Sequence, residues 1–69
     1  MTPEQMQQMM KLLRENLVQA GIVSYVIEDE PLRLLARFID ENRLSLRPPM
    51  VAIAYTAIVW ATTEGKLEA

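Results

Sequence analysis

From Pro48 to Thr63 the chain runs for 16 residues without a charged side chain. Pro48-Pro49 opens the run. A residue before proline is held extended, and proline suits the first helical positions. The pattern therefore predicts a helix over about 49–64. At the helical step of about 100° per residue this helix has no polar side, although Thr56 and Thr63 lie near one edge. Ala54, Ala57 and Ala61 fall within about 60° of one another on that wheel. Ile53 and Trp60 flank this stripe of small residues on one side, and Val51 and Ile58 on the other.

A helix that is apolar all round is either buried or in a membrane. A spanning helix needs about 20 apolar residues to cross about 30 Å of hydrocarbon. At 1.5 Å per residue this run reaches about 24 Å at most. Alanine and threonine are also weak membrane residues. The expected reading is the central helix of an oligomer, with Ile53, Ala54, Ala57, Trp60 and Ala61 in a self-association seam. A small membrane-associated protein, its insert flanked by Arg47 and Lys66, is the alternative.

Size points the same way. A chain of 69 residues makes one small domain. Folded alone, it buries only about 60% of its unfolded surface. Domains this short usually rely on a disulfide, a metal, exceptional packing or a partner. With no Cys and no His, disulfides are excluded and the usual metal ligands are missing. Hydrophobic residues make up 51% of the chain, more than a thin two-layer fold easily covers. A homodimer is the expected assembly, intertwined or side by side.

Two further helices and a connector precede the uncharged run. Thr2, Pro3 and Gln5 form a helix-start signal, and Gly21 is a stop signal, so a helix is expected over about 3–20. Met6, Met9, Met10, Leu13, Leu17 and Ala20 share one face of it, opposite Glu4, Gln7, Gln8, Lys11, Arg14, Glu15 and Gln19. Residues 22–27 (Ile-Val-Ser-Tyr-Val-Ile) are rich in β-branched side chains, which suits either a short strand or a connector. No second strand is visible for it to pair with. Glu28, Asp29, Glu30 and Pro31 then mark a helix start, the carboxylates acting as caps and as charges favoured by the helix dipole. That helix is expected over about 30–43. Its apolar arc, Leu32, Leu34, Leu35, Ala36, Phe38 and Ile39, spans roughly 200° and can face two neighbours at once. Only Arg33, Arg37, Asp40 and Glu41 form a wet stripe. The predicted architecture is all-α, three helices in a single domain, with the tail 66–69 fraying beyond Glu64-Gly65.

The residues that carry chemistry are few. Without His or Cys there is no imidazole base and no thiol nucleophile. Ser24, Ser45 and the threonines have nothing to activate them. Adjacent Asp40 and Glu41 point about 100° apart on a helix and form neither an acid–base pair nor a metal dyad. Gly21 and Gly65 are isolated, so no phosphate loop exists. Glu28, Asp29 and Glu30 lack the spacing of a calcium loop. Met6, Met9 and Met10 could offer thioethers to a soft metal, but an adaptable apolar surface is the better reading. No enzyme and no cofactor are expected.

Binding is what remains. Arg33 and Arg37 lie one turn apart and, with Arg43 and Arg47, give residues 32–47 four arginines against Asp40 and Glu41. Residues 22–31 hold three carboxylates and no cation, so the chain is dipolar, with a net charge of −2. The expected function is that of a small inhibitor, anti-activator or adaptor acting on another regulatory protein. Arg33, Arg37, Tyr25, Phe38, Met6 and Met9 are its candidate partner-binding residues. Economy of size makes a phage or plasmid product the expected source. The segment Met1-Thr2-Pro3-Glu4-Gln5 has neither a basic nor an apolar leader region, so the cytoplasm is the expected compartment.

A strand at 22–27 followed by two helices would be similar in element order to ribbon-helix-helix DNA-binding dimers. That resemblance covers about 40 residues and implies a DNA-binding regulator. Those proteins read bases with polar and basic strand residues. Here Ile22, Ser24 and Val26 would form one face and Val23, Tyr25 and Ile27 the other. Neither presents Arg, Lys, Asn or Gln, so nucleic acid is not the expected partner.

Overall fold

Thr2 starts the first helix with a reciprocal pair of hydrogen bonds. Its hydroxyl accepts from the Gln5 backbone N–H at 3.1 Å, and the Gln5 side-chain oxygen accepts from the Thr2 N–H at 2.9 Å. This capping box satisfies two otherwise unpaired donors. The computed structural model describes residues 1–65. In it, α1 spans Pro3–Gln19, α2 spans Asp29–Asn42 and α3 spans Pro48–Thr63, with a single 3-10 turn at Ser24–Val26 between the first two. Each helix end lies within a residue of its expected place. The expected fraying of 66–69 lies outside the described residues.

Both interhelix turns have the same hydrogen-bond pattern. After α1 the Gly21 N–H donates to the Val18 carbonyl and the Ile22 N–H reaches back to the Leu17 carbonyl, both at 3.0 Å. After α2 the Arg43 N–H donates to Asp40 at 3.4 Å and the Leu44 N–H to Ile39 at 3.0 Å. This is the Schellman arrangement, which needs a positive φ at its turning residue. Gly21 adopts φ 99° without strain, whereas Arg43 adopts φ 52° against the preference of an L side chain.

The strand reading of 22–27 is corrected: among the described residues there is no strand. The Val26 N–H donates to Val23 and the Ile27 N–H to Ser24, each at 3.1 Å. β-branched residues favour a strand only when a neighbour strand pairs with them, and this chain has none to offer. Ile27 instead sinks into the core and fastens the connector down.

The core draws on all three helices. Met10, Leu13 and Leu17 come from α1, Leu32, Leu35, Ala36 and Ile39 from α2, and Val51 and Tyr55 from α3. Leu17, Leu32, Leu35 and Val51 are fully buried. Burying each such side chain contributes about 1.5–3 kcal/mol. The radius of gyration, 11.2 Å, matches the about 11 Å expected of a closed domain this long. One chain therefore closes its own core.

One expectation shifts. Glu28 is the cap residue of α2, but its carboxylate makes no capping bond. The Asp29 carboxylate pairs with Arg14 across to α1 at 3.0 Å, and Arg14 also donates to the Ile27 carbonyl at 3.2 Å. The acidic triplet thus contributes helix-dipole charge and one interhelix bridge rather than a side-chain cap. Within a single chain α3 lies at the surface, and its expected place at the centre of an oligomer concerns contacts between chains. The helix buries Val51 and Tyr55 and leaves Met50, Ile53, Ala57 and Trp60 exposed.

Candidate interaction surface

The wide apolar arc of α2 divides in two. Leu32, Leu35, Ala36 and Ile39 turn inward. Leu34 is half-buried and Phe38 is 50% exposed, because they lie on the flank beside α3. Leu34, Arg37, Phe38 and Glu41 follow the i, i+3, i+4, i+7 spacing of one helical face. They form one wall of a groove whose other wall is Ala54, Ala57 and Ile58 of α3. The groove measures about 470 Å³. Small residues on α3 leave the space, and Phe38 stands beside it.

Ala57 continues this surface over the crest of α3. On its far side lie Ile22, Ala52, Ile53, Thr56 and Trp60, a second shallow apolar hollow. Thr56 would make that hollow polar, but its hydroxyl donates to the Ala52 carbonyl in its own helix at 2.8 Å. With the Thr56 hydroxyl bonded to its own helix, α3 presents no charged group along the side that holds Ile53, Ala57 and Trp60. The result is one apolar face running from Phe38 to Ile53, with Arg37 and Glu41 at its rim.

The structure gathers some of the sequence candidates and separates others. Arg37 and Phe38, expected at a partner site, line the same groove as Ala54 and Ala57, expected at a self-association seam. Ile53 is 63% exposed and Trp60 55%, both next to Ala57, while Ala61 is half-buried further along α3. Arg33 is exposed one turn before Arg37 and does not line the groove. Tyr25 is 87% exposed on the 3-10 turn. Met6 and Met9 are half-buried on α1, and Met9 lines a separate cleft with Leu12, Ile39, Leu44 and Leu46. Met10 is part of the core, so the three methionines do not act as one cluster.

Sequence reasoning put Glu41 on the wet stripe and Leu34 in the wide apolar arc, but named neither of them, nor Ile22, as a candidate binding or self-association residue. The spacing of Leu34, Arg37, Phe38 and Glu41 was the available signal. It was hidden because Leu34 and Phe38 belong to the same apolar arc as the core positions.

Among the described residues no group of His, Cys, Asp or Glu could hold a metal ion, and no helix is long and apolar enough to cross a membrane. No protein-family model, curated protein or solved structure matches the chain.

Proposed function

We propose that this chain is a small regulator that works by binding another protein, as a homodimer and without catalysing a reaction. The supporting observation is the exposed apolar face of α2 and α3. Contiguous apolar surface on a soluble domain marks an interaction site, and half of this sequence is hydrophobic. A side-by-side dimer suits the fold better than an intertwined one, because each chain closes its own core. The exposed Tyr25 and Arg33, with the half-buried α1 methionines Met6 and Met9, then serve the second partner. An aromatic and an arginine are the residue types that most often dominate such contacts. Inhibitor, anti-activator and adaptor are all consistent with this reading.

The test joins mass and capture. Light scattering after gel filtration should give a dimer. Immobilised protein should retain a specific protein partner from its host's lysate, and Tyr25→Ala with Arg33→Glu should abolish retention while helicity and dimer mass persist. Retention of duplex DNA or of lipid vesicles in place of protein would overturn the reading.

A further inference from the structure

We infer that the groove between α2 and α3 is occupied by the same face of a second copy of this chain, with the two α2 helices antiparallel. This rests on the dimer reading above and assigns it a face.

The argument is one of self-complementarity. A two-fold interface must match itself, so whatever one copy offers the other must accept. This face carries both parts. Phe38 offers a half-exposed ring on the α2 wall, and across from it the small Ala54 and Ala57 leave room in a groove of about 470 Å³. Its rim carries both signs. Arg37 and Glu41 stand one turn apart on the same wall and are not ion-paired with each other: among the described residues the ion pair is Arg14 with Asp29. A two-fold axis passing near Phe38, between antiparallel α2 helices, sets Arg37 of each copy opposite Glu41 of the other. Two reciprocal pairs form. A parallel arrangement would set Arg37 against Arg37 and Glu41 against Glu41. Rim pairs of this kind contribute little affinity but discriminate strongly against wrong registers. Affinity comes from Phe38, which the two-fold axis places at the centre of the interface, where aromatic anchors dominate.

The charge pattern supplies a test by exchange. Arg37→Glu alone leaves four carboxylates facing one another across the dimer. Glu41→Arg alone leaves four guanidinium groups. Each should weaken the homodimer by about tenfold or more. An equimolar mixture of the two variants should form a heterodimer preferentially, because every rim pair is then opposite in sign. The double variant Arg37→Glu/Glu41→Arg should regain the wild-type dissociation constant. Phe38→Ala should weaken the dimer by roughly 30-fold or more. Sedimentation equilibrium measures the constants, native mass spectrometry resolves the mixed dimer by mass, and far-ultraviolet circular dichroism checks that each variant remains helical. A wild-type dimer that both single charge variants form equally well, with no preference in the mixture, overturns this face and leaves the dimer reading intact. A wild-type monomer at all concentrations overturns both.

Discussion

The Tyr55 hydroxyl accepts a hydrogen bond from the backbone N–H of Glu28 at 2.9 Å, joining α3 to the cap of α2 across 27 positions of sequence. Tyr55 is 5% exposed, so its ring is part of the core while its oxygen reaches the edge. A single side chain therefore links core packing to the start of a helix. Tyr55→Phe keeps the ring and removes the acceptor. A part-buried donor left unmatched costs about 1–2 kcal/mol. The expected result is a thermal midpoint lower by several degrees, with helicity and oligomeric mass unchanged.

Arg14 acts at two sites of different worth. Its bond to the Ile27 carbonyl is part-buried, whereas its ion pair with Asp29 is solvated, with the two side chains 35% and 71% exposed. Exposed pairs contribute at most about 1 kcal/mol and are weakened by salt. Asp29→Asn should therefore cost little, and the small loss should vanish at high ionic strength. Arg14→Ala should cost about 1 kcal/mol more, because the Ile27 carbonyl also loses its donor. Urea melts at low and high salt separate the two.

The two Schellman turns predict opposite outcomes for glycine. At Gly21 an added Cβ meets nothing within 4 Å, so the cost of Gly21→Ala lies in the backbone alone. A positive φ costs an L-residue roughly 1–2 kcal/mol, and Gly21→Ala should destabilise by that amount. Arg43 already bears this cost at φ 52°. Arg43→Gly should stabilise, by up to about 1 kcal/mol once the greater freedom of glycine in the unfolded chain is set against the relief. Paired denaturation curves of the two variants check the signs.

Tyr25, 87% exposed on the 3-10 turn, has no structural duty that its loss would reveal. Tyr25→Ala should change stability by less than about 0.5 kcal/mol. Any loss of partner capture in that variant then reports recognition rather than folding. A marked drop in thermal midpoint would instead assign Tyr25 to the fold.

Much of the architecture was legible because its signals are local. Thr2-Pro3-Gln5, Gly21 and Pro48-Pro49 act through backbone geometry and neighbouring hydrogen bonds, so they set helix limits without help from the rest of the chain. The strand alternative at 22–27 failed for the opposite reason. Strand formation depends on a pairing partner, and residue preference for it is a statement about packing. Arg43 shows the same limit at one residue: nothing in its side chain announces a positive φ, which the tertiary path of α2 into α3 imposes.

The amino-acid sequence by itself determined three helices, their starts and a surplus of apolar surface, since these follow from periodicity, start signals and composition. It also determined the lack of imidazole and thiol chemistry. Only the tertiary structure decided where that surplus lies. Periodicity places Phe38 and Leu35 on the same broad arc, but the packing of the three helices buries Leu35 and leaves Phe38 half exposed beside Ala54 and Ala57. A helical wheel tells which residues share a side. Which side meets a neighbour depends on the packing of helices far apart in sequence, and that packing brought Arg37, Phe38, Ala54 and Ala57 onto one surface.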